Sequence, residues 1–306
     1  MNKCMGCGVL TTNKLCERCF RIRNYNEYKK VDVNYSDFLD SLTKINRNDL
    51  VVLVVDLLNI PDSFNDIKSK INNKVILALN KFDLMPTNNE ERYIKYFDRY
   101  NLNIINTFCI STKNNHNIDS LYECIKNNVT NNVYFIGYTN SGKSSLINKL
   151  IYNYSSNNTI ITISYLANTT LDLIKIKLDG FTLIDTPGII NDNSINQLSD
   201  SVLKKLSKSK RIKPISYQIK TTQYITIENI IKVTTSNDII IYTPSNIDVN
   251  RYYKDNSFNS IKEINYNITN TSDIVIPNIG FIKVKKGKIK IEMANDIKIY
   301  VREPII

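Results

Sequence analysis

The sequence has no long hydrophobic run, little glycine, one histidine and a shortage of acids. Its longest apolar stretch, "LVVLVVDLLNI" from Leu50 to Ile60, is broken by Asp56 and is far too short to cross a bilayer. The chain therefore reads as soluble, without a membrane partner and cytoplasmic. Glycine occurs only eight times in 306 residues. Two of the eight, Gly6 and Gly8, lie among cysteines, and Gly137, Gly142 and Gly188 lie in the motifs described below. In so glycine-poor a chain these mark places where a side chain has no room. Acids number 29 against 40 Lys and Arg, a net charge of +11. The excess points to a polyanionic partner, most often nucleic acid. The bias toward Asn, Ile, Lys and Tyr leaves open that part of it follows codon composition.

Four of the six cysteines open the chain in "CMGCGVLTTNKLCERCF". Cys4, Cys7, Cys16 and Cys19 form two C-x2-C turns, each of which can aim two thiolates at one point, and four convergent sulfurs suit tetrahedral zinc. A disulfide or redox pair is the rival. It fits poorly, because the sequence shows neither a signal-peptide pattern nor another mark of an oxidising compartment. Zinc would fold so small a knuckle outright, with about 10–16 kcal/mol available from metal binding. Arg18, Arg21 and Arg23 would give it a basic edge for RNA.

"NVYFIGYTNSGKSSLINKL" (132–150) places G-x4-G-K-S between an apolar strand and a helix-forming run, the context a phosphate loop requires. Backbone N–H groups from Gly137 through Asn140, Ser141, Gly142, Lys143, Ser144 and Ser145 would cradle phosphates. Lys143 would neutralise the β and γ groups, and Ser144 would ligate magnesium. "FTLIDTPGII" (181–190) ends a strand in D-x-x-G. There Asp185 can hold the magnesium and the Gly188 amide can sense a γ-phosphate. "VILALNKFDLMP" (75–86) ends another buried strand in N-K-x-D. The Asp83 carboxylate suits the N1–H and N2 donors of guanine, which adenine lacks. Lys81 would lie over the base and Asn80 would tie this loop to the phosphate loop. The amides of Ser111, Thr112 and Lys113 could reach the guanine O6.

The order of these motifs is unusual. The base-reading segments precede the phosphate loop, and no second N-K-x-D follows residue 188. A doubly wound parallel sheet tolerates joined ends and a new cut. The expectation is therefore an α/β fold with a circularly permuted P-loop GTPase domain whose first strand is "DLVVLVVDLLN" (49–59). In order, "CMGCG", "CERCFRIRNYN", "NKFDLMP", "GYTNSGKSSLIN", "TTLDLI" and "DTPGI" resemble the blocks of the YqeH family of ribosome-assembly GTPases, over roughly residues 1–205. The chain departs from the family pattern at Asn24, where histidine is usual, and at Ala167-Asn168, where Pro-Gly is usual. The resemblance implies GTP and GDP as ligands with Mg2+ and Zn2+. It also implies rRNA and the small ribosomal subunit as partners, and slow GTP hydrolysis gating that association.

The glutamine usual after the D-x-x-G glycine is absent, for Ile189 stands there. The lone histidine, His116, reads as a solvated residue of the base-side loop. Asn140 matches the asparagine that in related GTPases helps hold a potassium ion where an arginine finger would sit. Lys143, Asn140 and Thr170 are thus the catalytic candidates. Thr170, with Thr169 as fallback, would add a magnesium ligand from the polar switch stretch 153–170.

From Pro214 onward short alternating runs predict antiparallel strands. Lys283, Lys285, Lys286, Lys288 and Lys290 surround Gly287, read as the turn of a basic hairpin. Phosphate-backbone contact and an ordinary solvated edge are both open for it. The expected layout is a zinc finger at 1–30, the GTPase domain at 31–206 and a basic β-rich domain at 207–306, in a monomer. The second switch would run through a helix at 194–206 straight into the last domain, so that phosphate loss could move that domain as a lever. The alternative is a nucleotide-regulated RNA-binding scaffold with negligible hydrolysis. A metabolic kinase would need an acceptor site, and the sequence offers none.

Overall fold

The structure, a computed structural model, describes residues 2–3, 10–11, 32–33, 39–40, 42–60, 64–100, 102–154, 160–165, 172–178, 180–186, 188–189 and 198–306. The cysteines of the knuckle and the threonines Thr169 and Thr170 lie outside the described residues. Two compact units form, Met1–Asp83 with Ile94–Asn191, and Leu84–Tyr93 with Asp192–Ile306.

The first unit is built on a seven-stranded sheet. Along the chain come β1 (Leu50–Asp56), α1 (Phe64–Lys70), β2 (Val75–Asn80), α2 (Glu90–Phe97, which runs across the boundary between the units), β3 (Ile104–Cys109) and α3 (Ile118–Asn128). Then follow β4 (Asn132–Gly137), α4 (Lys143–Tyr154), β5 (Ile160–Tyr165), β6 (Asp172–Leu178) and β7 (Phe181–Asp185). The spatial order is β3-β2-β1-β4-β7-β6-β5. Strands β3, β2, β1, β4 and β7 run parallel, and β6 and β5 are added antiparallel. The chain starts in the middle at β1, steps out to the β3 edge, returns to the middle at β4 and then builds the other half. That is the sheet of a P-loop GTPase entered at a different point, as the motif order implied.

Composition explains why β1 sits at the centre. Its seven residues are all buried, and strand alternation sends Leu50, Val52 and Val54 to one face and Val51, Leu53 and Val55 to the other. A strand apolar on both faces belongs only between two layers. On one face Leu121, Ile125, Leu146, Ile147 and Leu150 of α3 and α4 close over Val52, Val54, Ile76, Ala78 and Phe135. The parallel register sets Val54 beside Gly137, Asp56 beside Asn80 and Asp185 beside Phe135. The carboxyl ends of these strands thus share one edge of the sheet.

Among its described residues the second unit contains α5 (Asp200–Ser207) and ten strands: β8 (Ile215–Tyr217), β9 (Gln223–Ile227), β10 (Ile231–Thr235), β11 (Ile239–Tyr242), β12 (Val249–Tyr252), β13 (Lys262–Ile268), β14 (Ser272–Ile276), β15 (Gly280–Val284), β16 (Gly287–Met293) and β17 (Tyr300–Arg302). They form two antiparallel five-stranded sheets, β8-β11-β15-β14-β17 and β12-β9-β10-β16-β13. Inward residues of both sheets, among them Ile225, Val233 and Ile291 from one and Ile241, Ile274 and Ile282 from the other, merge into a single isoleucine-rich core. Leu198 and, from α5, Val202 join it, so this helix packs into the unit. The antiparallel strands expected from alternation are present.

The basic hairpin is not. β15 and β16 belong to different sheets, and Lys285–Lys286 is the corner where the chain passes between them. β15 pairs with β11 and β14, and β16 with β10 and β13, so alternation predicted the strands correctly but their pairing wrongly. Lys290 is paired with Glu263 at 2.9 Å, and Lys283 donates to the Ile306 carbonyl. Lys285, Lys286 and Lys288 remain exposed. Among the described residues no helix is long and apolar enough to cross a membrane.

Phe135 lies fully buried in β4 beneath both helices of its face. Phe135→Ala should destabilise this unit by about 3–5 kcal/mol, a cavity cost readable as a lower urea midpoint.

Candidate nucleotide site

Five strand ends and two loops make the site. β4 ends at Gly137, where its neighbour β1 runs so close that a Cβ would stand 2.8 Å from the Val54 carbonyl oxygen and 2.8 Å from Ser141 Oγ. The chain then loops through Tyr138–Gly142 into α4. Asn140 takes the left-handed conformation at φ 66°, Gly142 has φ +87°, and Ser141 N–H donates to the Tyr138 carbonyl at 3.0 Å. Lys143 opens the helix, Ser144 is half-buried and Ser145 exposed. This is the strand, glycine loop and helix N-terminus expected from the motif.

The loop is clamped from β2. Asn80, 1 % exposed, donates through Nδ2 to the Ser141 carbonyl at 2.9 Å. The clamp leaves no space beside it, because a Cβ on Gly142 would sit 2.1 Å from that Nδ2. The tie expected between the N-K-x-D segment and the phosphate loop is therefore a direct hydrogen bond.

Next to Asn80, Lys81 adopts a left-handed turn at φ 65°, and its ammonium meets Asp56 Oδ2 at 2.7 Å. Asp83 accepts a hydrogen bond from Ser111 Oγ at 2.7 Å, which joins the ends of β2 and β3. The Ser111 N–H and carbonyl both pair with His116 across a tight loop. Thr112 is half-buried and Lys113 exposed on that loop. His116 is not the solvated residue expected. It is half-buried and stacks on Phe82, with ring centroids 5.3 Å apart, so its role is to pack the two loops together.

From β7, Asp185 and Lys143 form a buried pair through Oδ1, and Lys143 also donates to the Thr186 carbonyl. Thr186 Oγ1 donates to the Phe135 carbonyl at 2.8 Å and pins the turn that follows β7. Gly188 is buried, and with Ile189 it pairs in parallel with Asp32–Val33. Among the described residues, Asp185 Oδ2, Asn80 Oδ1 and Ser141 Oγ are buried without a hydrogen-bond partner. All three lie at the carboxyl edge of the sheet, where a polar ligand would complete their hydrogen bonds. An anionic oxygen free at Asp185 Oδ2 fits a hard divalent cation such as magnesium.

The sequence reading missed Asp56 and Thr186. The signal for Asp56 was present, as a single acid ending a run of six apolar residues at the edge that carries the motifs.

Comparison with known proteins finds relatives in sequence and in structure. The family described as 50S ribosome-binding GTPase matches residues 132–246, beginning at the first residue of β4. YqeH of Bacillus subtilis is 35% identical over 249 residues, covering 72% of this chain and 68% of that protein. The chloroplastic GTP-binding protein Brassinazole Insensitive Pale Green 2 of Arabidopsis thaliana is 26% identical over 261 residues, 72% of this chain and 39% of that protein. GTPase Der of Mycoplasma mycoides is 28% identical over 202 residues, 60% of this chain and 44% of that protein. Among solved structures, YlqF from T. maritima matches 52% of this chain and 58% of that one at 23% identity, with a TM-score of 0.28.

Asn80→Ala would leave the buried Ser141 carbonyl without its partner, at a cost of about 1–3 kcal/mol. Hydrogen exchange should then speed up selectively at the amides of residues 138–142, while the strand interiors keep their protection.

Proposed function

The chain belongs to the YqeH family of circularly permuted GTPases, and from that premise we propose that it is a GTP-driven switch that binds rRNA of the small ribosomal subunit during ribosome assembly. The observation that carries the nucleotide part is the clamp from Asn80 to Ser141, which locks the base-reading segment to the phosphate loop. That bond supports reading the two motifs as one site, as the sequence anticipated.

In this reading the backbone N–H groups of Gly137–Ser145 hold the phosphates at the N-terminus of α4. Lys143 exchanges its Asp185 and Thr186 partners for the β and γ oxygens, as one charge-assisted contact replaces another. Ser144, Asp185 and Thr170 would hold magnesium, which when bound neutralises charge between the β- and γ-phosphates. Asp83 accepts from guanine N1–H and N2, the Ser111–Lys113 amides face O6, and Lys81 covers the ring. The Gly188 amide senses the γ-phosphate. Water attacks the γ-phosphorus, the bond to the β-phosphate bridging oxygen breaks, and GDP and phosphate leave. Asn140 would help hold a potassium ion, which supplies the positive charge of an absent arginine finger. With Ile189 in place of the usual glutamine, intrinsic turnover is slow.

Cys4, Cys7, Cys16 and Cys19 would hold zinc and carry the basic edge of Arg18, Arg21 and Arg23. Residues 207–306, with sixteen Lys and Arg against nine Asp and Glu, would supply a second phosphate-binding surface. The absent glutamine favours one other reading, an RNA-binding scaffold in which hydrolysis is incidental.

Turnover should be faster in potassium than in sodium at equal ionic strength. Equal rates would remove Asn140 from the mechanism, and no turnover in either salt or with subunits added would leave the scaffold. Sedimentation with ribosomal subunits should carry the GTP-analogue form and the GDP form to different extents, with the small subunit as the expected partner. Movement with the large subunit, as the matched family's description would have it, would reassign the partner. Co-sedimentation of neither form would end the assembly role and leave the GTPase.

A further inference from the structure

We propose that Asp56 is a positioning residue of the guanine site, holding Lys81 over the base before nucleotide arrives. The inference rests on the guanine-nucleotide reading and deepens it, because no sequence motif of the site includes Asp56.

Six apolar, fully packed residues precede Asp56 in β1, and its side chain is only 5 % exposed. A carboxylate in such a place is costly unless its charge and lone pairs are answered. Both oxygens are answered. Oδ1 accepts the Leu58 N–H at 2.9 Å, and Oδ2 accepts the Lys81 ammonium at 2.7 Å. The first bond shapes the turn that leaves β1. The second reaches across to the left-handed turn at the end of β2, where the parallel register sets Asp56 beside Asn80.

Lysine carries a flexible four-carbon stem, and the Lys81 side chain is still 31 % exposed. Without an anchor it would sample many rotamers and lose them on covering a base, which weakens binding. The anchored ammonium has already lost them. The anchor lies on the neighbouring strand, so its position is as fixed as the sheet. Folding alone explains only the Oδ1 bond, since a turn acceptor needs no negative charge.

Asparagine at this position keeps the Leu58 acceptor and removes the charge that holds Lys81, so Asp56→Asn separates the two roles. GDP dissociation constants for the wild type, Asp56→Asn, Lys81→Ala and the double variant complete a cycle. Asp56→Asn should weaken GDP binding by about tenfold, which is about 1.4 kcal/mol. Lys81→Ala should lose at least as much, and the double variant should bind no more weakly than Lys81→Ala alone. Independent, multiplying losses would overturn the proposal, because Asp56 would then act other than through Lys81. Unchanged affinity in Asp56→Asn would overturn it as well, with the nucleotide reading left standing. A wild type that binds no GDP would sink that reading and this inference with it.

Discussion

The molecule depends on strands β2, β1, β4 and β7 ending together in parallel register. That constraint is spatial and indifferent to the route of the chain. Asn80, Gly137 and Asp185 lie scattered through more than a hundred residues, yet the ladder brings them to one edge because each closes an apolar strand. Hydrophobic burial of the strands fixes the ladder, and the ladder fixes the polar ends. The permutation therefore leaves the chemistry of the edge intact. What it changes is which segments lead in and out.

At that edge the protein substitutes for its ligand. Lys143 leans on Asp185 and the Thr186 carbonyl, so a buried ammonium is answered by protein oxygens. In the proposed function, binding phosphate would be an exchange of partners for this ammonium. The same logic holds at the base end, where Asp83 holds Ser111 and Asp56 holds Lys81. Lys143, Lys81 and Asp83 are thus each bonded to a residue on a neighbouring strand end or loop.

Much of this was legible in the sequence because each signal was local. A glycine that must admit Val54, a lysine heading a helix and an aspartate ending a strand all show within a dozen residues. The bond from Asn80 to Ser141 spans 61 positions, yet the motif pair anticipated it. Asp56 escaped because its partner Lys81 is 25 residues away on another strand and no motif links them. The basic corner was misread for a related reason. A hairpin and a passage between two sheets look alike in alternation, and only strand pairing, a non-local fact, tells them apart. His116 was assigned to solvent from the polarity of its neighbours, whereas the ring of Phe82 decides its place.

The place of β1 in the chain also bears on how the protein is made. As it emerges from synthesis, β1 finds β2 soon after, but its other neighbour is β4, which ends at residue 137. At about 5–20 residues per second, the gap from Asp56 to Gly137 takes on the order of 4–16 seconds. Through that interval one edge of the most apolar strand stays unpaired, the arrangement most prone to illicit pairing with another chain. An unpermuted relative makes its phosphate-loop strand first and has it waiting. Here the open edge belongs to β1 until β4 arrives, so the altered order that spares the finished site changes which strand waits during synthesis.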